Sequence, residues 1–402
     1  MKVLYFHQHF STPKGSTGTR SYAMAKALVS AGHDVTIVCG SMNMGQTGLD
    51  GEFIKGIRKG KVEGINVIEF SLLYSNKLSF YGRIRVFLSF VVKSIRVALK
   101  EDYNIVFATT TPLTAGIPGI FAKLFRRKRF VFEVRDLWPE LPRAMGVINN
   151  RLLLFLMSVL EWCSYRSADK LIGLSPGIVD GIAKRGISRD NIKLIPNGCD
   201  LDIFSNSQDT RYIPVGVKDK DFLAIFSGTH GIANGLGALI DVAVELKSRS
   251  SNSIKIILVG DGMLKEDLQV KATEYKLDNI IFHDPIDKQT LSKLYKRADV
   301  GLQILKNIPA FYYGTSPNKF FDYISAALPV INNYPGWVAD LIEESGCGYI
   351  VSPDNFREFA DVLINMSKNM SEVKNMSVKS RELANKFDRN KLSSDFVKWV
   401  VN

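Results

Sequence analysis

The sequence predicts a parallel α/β protein built from two doubly wound domains, and three observations carry that reading. Short apolar runs of strand length alternate with amphipathic stretches of helix length. The alternation halts once, at a polar stretch, and then begins again. The chain has 402 residues, beyond the roughly 250–300 at which a single core stops growing.

Taken in order, the first-half strand candidates are Lys2–Phe6, Asp34–Cys39, Ile65–Phe70, Ile105–Thr109, Phe130–Val134, Lys170–Leu174 and Lys193–Pro196, with helices such as Arg20–Ala31 between them. The polar stretch from about Ser205 to Asp221, rich in Ser, Asn, Asp and Lys, reads as an interdomain linker. Phe222–Ser227 opens the second series, followed by a helix reaching about Ser248. Strands at Lys255–Val259, Asn279–His283, Val300–Ile304 and Pro329–Asn332 follow, with a helix at Asn318–Ala327. Phe387–Val400 reads as a closing helix. These limits give domains at 1–204 and 205–385 and a terminal helix in 386–402. Ligands are expected in a cleft between the domains, at the carboxyl ends of the strands.

Composition narrows the function classes. With 46% hydrophobic and 23% charged residues, the chain is neither disordered nor collagenous nor a many-span membrane protein. No apolar run approaches the ~20 residues that span a bilayer. The N-terminal segment lacks the features of a signal peptide, which gives a cytoplasmic expectation. Cys39, Cys163, Cys199 and Cys347 have neither metal-ligand nor CxxC spacing, so they are expected to be reduced thiols. The formal charge of +12 points to an anionic partner. Residues 1–200 hold 28 basic and 15 acidic side chains, and residues 201–402 hold 24 and 25; the excess belongs to the first half.

Between the first strand and first helix lies His7-Gln8-His9-Phe10-Ser11-Thr12-Pro13-Lys14-Gly15-Ser16-Thr17-Gly18-Thr19-Arg20. Gly15 and Gly18 allow close backbone approach, a helix start offers free N–H groups, and Arg20 adds a charge, so the loop reads as anion-facing. The same residues also make ordinary turn and cap chemistry. His7 and His9 have no carboxylate or third ligand at suitable spacing, so they are not read as a zinc site.

The second half carries the specific motifs. Gly260-Asp261-Gly262 follows a strand; Leu294–Val300, Ser316-Pro317-Asn318-Lys319-Phe320-Phe321-Asp322-Tyr323 and Ala326–Ile331 come later. With Ala31–Thr36, Ala168–Ser175 and Ile195-Pro196-Asn197-Gly198-Cys199-Asp200, these segments resemble glycosyltransferase family 4 in order along almost the whole chain. The resemblance implies a GT-B fold, α/β, with two Rossmann-like domains and a C-terminal helix returning to the first. It also implies a nucleotide-sugar donor held mainly by the second domain, retention of anomeric configuration, and no cofactor or obligatory metal. Asp322 takes the position of the second Glu of the family's Glu-x7-Glu motif, and a carboxylate there can accept hydrogen bonds from both ribose hydroxyls; the alternative is a solvated first-turn acid. Ser316, Asn318 and the helix start suit a diphosphate, and Lys319 adds a point charge. Gly18, Gly260, Pro285 and Ile286 complete the donor-side set. Two Asp-x-Asp pairs, Asp200/Asp202 and Asp219/Asp221, lie at or in the linker and are not read as a metal site.

Three departures from the family pattern stand out. Its first Glu falls on Gly314, so Tyr312, Tyr313 or Thr315 would shape the sugar pocket. Its Gly-Arg-x4-Lys-Gly clamp aligns with Gly228-Thr229-His230-Gly231-Ile232-Ala233-Asn234-Gly235, which leaves Lys319, Arg20 and His230 to offset the leaving-group charge. Its first-domain His aligns with Arg135, within Glu133-Val134-Arg135-Asp136-Leu137-Trp138-Pro139-Glu140. There Arg135 and Asp136 are candidate catalytic groups, with Lys319, while Trp138 and Glu140 are candidate acceptor-side groups. The competing reading is an Arg135–Glu salt bridge beside a packed Trp.

The first-half charge clusters beside apolar runs. Arg83, Arg85, Lys93, Arg96 and Lys100 punctuate Phe80–Leu99; Lys123–Phe130 holds five cations in eight positions; Arg151 flanks the apolar Leu152–Met157. Basic amphipathic helices lie on anionic membrane surfaces, although a core helix with a solvated face is the plainer reading of the first segment. The expected protein is a peripheral enzyme on the inner face of the plasma membrane. It would move a sugar, an N-acetylated or deoxy hexosamine, from a UDP-linked donor to a lipid-diphosphate-linked saccharide in O-antigen or capsule assembly. Within the family, Gly228-Thr229-His230-Gly231, Arg135–Glu140 and Ser316–Lys319 resemble N-acetyl-L-fucosamine transferases. A nucleotide-sugar epimerase on the same scaffold is the alternative. No nucleic acid is expected as a partner, since no recognition motif accompanies the charge.

Overall fold

The computed structural model describes residues 1–15, 17–42, 45–75, 78–205 and 212–402; Ser16 of the first loop and 206–211 of the expected linker lie outside them. The chain divides into two compact units. The first holds Met1–Asn197, Tyr313–Ser316 and Asn390–Asn402, and the second holds Gly198–Tyr312 and Pro317–Arg389.

The first unit carries strands β1 (Lys2–Phe6), β2 (Asp34–Met42), β3 (Ile57–Val62), β4 (Ile65–Tyr74), β5 (Ile105–Thr109), β6 (Arg129–Val134), β7 (Lys170–Gly173) and β8 (Ile192–Leu194). Its helices are α1 (Arg20–Ser30), α2 (Phe80–Lys100), α3 (Ile117–Arg126), α4 (Glu140–Ala144), α5 (Arg151–Ser167) and α6 (Pro176–Lys184). The sheet order is β3-β4-β2-β1-β5-β6-β7-β8, parallel except for β3, which pairs antiparallel with β4. Its central strands are buried on both faces: every residue of β5 is buried, as helices covering both sides require. Strand β3 escaped the sequence reading because it is an edge strand, IRKGKV, with little buried apolar surface. Its turn, Glu63-Gly64, has both residues in the left-handed region, the geometry of a tight hairpin.

The cations of Lys123–Arg129 are largely committed. Arg126 donates to the Glu101 carbonyl and lies over the Tyr103 ring with Lys128. Arg129 donates to the Val401 carbonyl at 2.9 Å, and Lys123 pairs with Asp169. Arg127, ending α3 in a left-handed conformation, is the exposed cation of the run. The expected free basic patch is thus corrected: these charges mostly close α3 and hold the C-terminal helix.

The second unit carries β9 (Phe222–Ser227), β10 (Ile254–Val259), β11 (Ile280–His283), β12 (Val300–Gln303), β13 (Val330–Asn332) and β14 (Gly348–Ile350) in the parallel order β11-β10-β9-β12-β13-β14. Its helices include α7 (Leu201–Ser205), α8 (Gly237–Ser248), α9 (Lys265–Glu274), α10 (Lys288–Arg297), α11 (Pro309–Gly314), α12 (Asn318–Ser325), α13 (Trp337–Ser345), α14 (Phe356–Lys368) and α15 (Met370–Lys386). The order is doubly wound, with its switch point between β9 and β12. The first unit has the same switch between β1 and β5. Tyr212, within the stretch read as a linker, already hydrogen-bonds His283 at 2.8 Å in the second unit.

The last helix, α16 (Arg389–Val401), sends Phe396 and Val400 fully into the first unit's core. Phe396 meets Phe107 edge-on at 5.0 Å, and Trp399 donates to the Leu171 carbonyl at 3.1 Å. Replacing Phe396 with Ala should destabilise the first unit by about 3–5 kcal/mol, read by urea unfolding. A loss below about 1 kcal/mol would mean the helix is not integral to that core.

Candidate active site

The first unit's site residues gather at the carboxyl end of β6 and the start of α1. Arg20, the first residue of α1, is 1% exposed. Its Nε and one Nη donate to Glu133 Oε2 at 3.1 and 2.8 Å, and its remaining donors reach the Pro196 and Ile195 carbonyls at 2.6 and 2.8 Å. Glu133 is wholly buried. Burial alone would raise its pKa, but Arg20, then Arg135, and hydrogen bonds from Arg20 and Thr109 hold it at about 2. Arg20 is therefore corrected from a donor-facing cation to a structural one.

Arg135 forms the salt bridge that the competing reading named, to Glu133 Oε1 at 3.2 Å. It also donates to Thr109 at 2.9 Å and to Ser21 at 2.9 Å. Its side chain keeps 20% exposure. Asp136 accepts from Thr111 at 3.3 Å, and burial pushes its carboxyl upward. Trp138 packs against the core with its buried Nε1 unpartnered among the described residues. Glu140 is exposed and pairs with Arg185 at 3.1 Å.

His7 and His9 are both buried enough to stay neutral, burial being reinforced by the nearby Arg135 charge. Their Nδ1 atoms, the Gln8 amide and Thr17 Oγ1 are buried without hydrogen-bond partners among the described residues. Such groups at a strand end are costly unless a ligand or water meets them. Gly18 is exposed nearby in sequence, before α1.

In the second unit, Gly228 and Gly260 end β9 and β10 at φ 149° each. A Cβ on Gly260 would stand 1.9 Å from the Gly228 carbonyl oxygen, so only glycine fits. His230 sits wholly buried beneath them. Burial, followed by the Lys265 charge, lowers its pKa to about 4, so it is neutral at pH 7 and offers no charge to a leaving group. That corrects the second expected cation.

Lys319 is the one that remains. Its Nζ donates to Asn234 Oδ1 at 2.7 Å and lies 4.3 Å from the centre of the Phe226 ring. A Cβ on Gly228 would come within 3.3 Å of its Cε. Asn234 is oriented by donating to the Thr229 carbonyl at 2.7 Å. The residue standing where the family has a clamp lysine thus holds a different lysine. Burial lowers the Lys319 pKa to about 7.

One turn along α12, Asp322 is 15% exposed and pairs with Lys288 at 3.0 Å, which overturns the solvated-acid alternative. Burial raises its pKa against the pull of Lys288. Lys288 also pairs with Asp200, which in turn pairs with Arg389. Burial would raise the Asp200 pKa, but Lys288 and Arg389 hold it at about 2. Asn318 is the exposed first residue of α12. Pro285 and Ile286 are half-buried between β11 and α10. Ser316 belongs to the first unit, where its Oγ accepts from the Asn197 N–H at 3.1 Å.

Lys288 and Lys265 were missed. Lys265 donates to the Gly260 carbonyl at 3.0 Å and to Asp284 at 2.6 Å. Nothing local signals either role, since the carboxylates they pair with lie 19 to 88 residues away. Among the described residues, no group of three or more His, Cys, Asp or Glu is placed to hold a metal ion.

Two doubly wound sheets, parallel but for β3, with glycine turns or polar groups at their carboxyl edges, define the GT-B class of fold. Residues 17–203 match the family model "Glycosyltransferase Family 4", and residues 209–383 match "Glycosyl transferases group 1". The chain is a glycosyltransferase of the GT-B type. Solved structures similar in fold include sucrose-phosphate synthase from Thermosynechococcus elongatus, at 15% identity and TM-score 0.75, over 99% of this chain and 97% of that one. HepE from Anabaena in complex with UDP-glucose is similar at 15% identity and TM-score 0.67, over 99% and 98%. WaaG, a glycosyltransferase involved in lipopolysaccharide biosynthesis, is similar at 15% identity and TM-score 0.68, over the whole of both chains. No curated protein matches by sequence.

Because the folded pKa of Glu133 lies below its unfolded value of 4.5, its contribution is fully present above that value and lost as pH falls toward 2. Glu133→Gln should cost about 3–5 kcal/mol at pH 7 by leaving Arg20 buried and under-compensated. The gap to wild type should narrow between pH 5 and 3 in urea titrations; a gap independent of pH would contradict the ion-pair account.

Proposed function

We propose that the chain transfers a hexosyl unit, with retention, from a UDP-sugar to a lipid-linked saccharide on the inner face of the plasma membrane, in O-antigen or capsule assembly. The observation that carries the reading is the start of α12. The partly desolvated Lys319 amine stands beside the Gly228 turn, and the Asp322 carboxylate lies one turn further on. The amine suits a diphosphate and the carboxylate suits ribose hydroxyls. With Arg20 and His230 removed from the set of free cations, Lys319 carries the leaving-group stabilisation. The departing phosphate takes the acceptor's proton, so no side chain need act as nucleophile or base. Arg135, Asp136 and Trp138 line the acceptor side. The motifs of this chain resemble those of N-acetyl-L-fucosamine transferases, and an N-acetylated or deoxy hexosamine is the sugar expected on that reading. UDP and UDP-glucose in the HepE structures support the choice of donor class.

Membrane contact is supported by the outward faces of three neighbouring helices, since α2 packs on α3 and α3 on α5. Helix α5 exposes Leu152 (67%), Phe155 (62%), Leu156 (54%) and Val159 (42%) at the spacing of a single helix face. Its other side buries Glu161, Ser164 and Tyr165. A helix with its apolar stripe toward solvent inverts the usual pattern. Leu88, Val92, Leu124 and Phe125 extend the surface, rimmed by the exposed Arg85, Arg96, Lys100 and Arg127. Among the described residues no helix is long and apolar enough to cross a membrane.

Donor affinity should depend on the Lys319 proton. The protonated amine binds diphosphate, so affinity for the tightest member of a UDP-sugar panel should fall about tenfold per unit as pH rises above 7. Lys319→Met should flatten that dependence in calorimetric titrations, and identical slopes in both proteins would refute it. Phe155→Ser/Leu156→Ser should weaken co-sedimentation with phosphatidylglycerol vesicles at least tenfold, in line with about 1.5–3 kcal/mol per buried apolar side chain. Undiminished binding would dispose of the membrane contact.

A further inference from the structure

A cavity of about 740 Å³ opens in the first unit between α4 and α5. Pro139, Glu140, Arg143, Arg151, Glu161 and Arg185 are in its wall. Three guanidinium groups therefore meet two carboxylates there. Arg185 is already neutralised, by Glu161 at 2.6 Å and Glu140 at 3.1 Å. Arg143 and Arg151 are exposed and make no ion pair among the described residues. The cavity also receives the amino end of α5, whose first turn holds no acidic residue, so the helix dipole adds to the positive potential.

The surroundings specify what kind of anion fits. Arg151 begins the helix whose next residues, Leu152, Phe155, Leu156 and Val159, form the outward apolar stripe. Also in the wall, Pro139 and Glu140 follow directly on the loop that carries Arg135, Asp136 and Trp138. An anion seated on Arg143 and Arg151 would have the apolar stripe of α5 and the end of the Arg135–Trp138 loop beside it.

We infer that this cavity seats the diphosphate of the lipid-linked acceptor, its hydrocarbon chain lying along α5 and its saccharide directed to the Arg135–Trp138 loop. The inference rests on the proposed lipid-linked acceptor and adds where the lipid is recognised. Arg143 and Arg151 supply charge-assisted hydrogen bonds to the phosphates, while the stripe supplies non-specific burial in the bilayer.

The test compares binding to phosphatidylcholine vesicles carrying a long-chain polyprenyl diphosphate with binding to vesicles carrying phosphatidylglycerol at equal charge. Wild type should bind the polyprenyl diphosphate vesicles about tenfold more tightly. Arg143→Gln/Arg151→Gln should abolish that preference and keep measurable binding to phosphatidylglycerol; both residues are solvent-exposed, so the variant should fold. Equal binding of wild type to the two vesicles, or a preference that survives the double substitution, would overturn the inference alone. Binding to neither vesicle would overturn the membrane reading along with it.

Discussion

Glu133 has no access to water, and a carboxylate in that position must be neutralised by cations placed against it. Arg20 and Arg135 supply them. Satisfying one charge at the end of β6 therefore fixes the first residue of α1, the Ile195–Pro196 backbone, Thr109 at the end of β5 and Ser21. The loops that present the first unit's polar groups are set by this buried pair. The second unit repeats the device with Asp200 and Asp322 around Lys288 and Arg389. Buried ion pairs of this kind add little net stability compared with apolar packing, but breaking one partner is severe. Their value here is positional.

That constraint explains why the cations divided as they did. Arg20 and His230 occupy positions that suggest an anion site when only the chain is considered. Arg20 is consumed by Glu133 and two carbonyls, and His230 is buried too deeply to carry a charge. Lys319 differs because the side chains it meets, Asn234 and the Phe226 ring, are neutral; its charge is not cancelled, only made costly by burial. A group poised near neutrality in this way is sensitive to an arriving diphosphate, which is a property expected of ligand sites.

The legible part of the fold was the part with buried, apolar strands. β1, β5 and β9 have the limits that their apolar runs predicted, because strands covered on both faces leave an unbroken hydrophobic signature. β3 and β14 lacked that signature, one being a charged edge strand and the other three residues long. In the site, Asp322 and Lys319 could be found because both sit in one helix turn of a continuous motif. Lys288 could not, since its meaning comes from Asp200, 88 positions away. The exposed apolar surface proposed to meet the membrane was half legible. The apolar Leu152–Met157 run was visible, but only the buried Glu161, Ser164 and Tyr165 show that its stripe points outward. Conversely, the dense Lys123–Arg129 run looked like a membrane patch and is mostly internal bonding.

The central claim is that a nucleotide-sugar binds the second unit through the first turns of α12. Ligand that binds only the folded state raises the unfolding temperature by mass action. A thermal-shift screen of wild type and Asp322→Ala against a panel of UDP-, GDP- and TDP-sugars tests this most directly. Wild type should shift clearly upward with at least one UDP-sugar, and the variant with none. A panel that shifts neither protein, or shifts both equally, would contradict it.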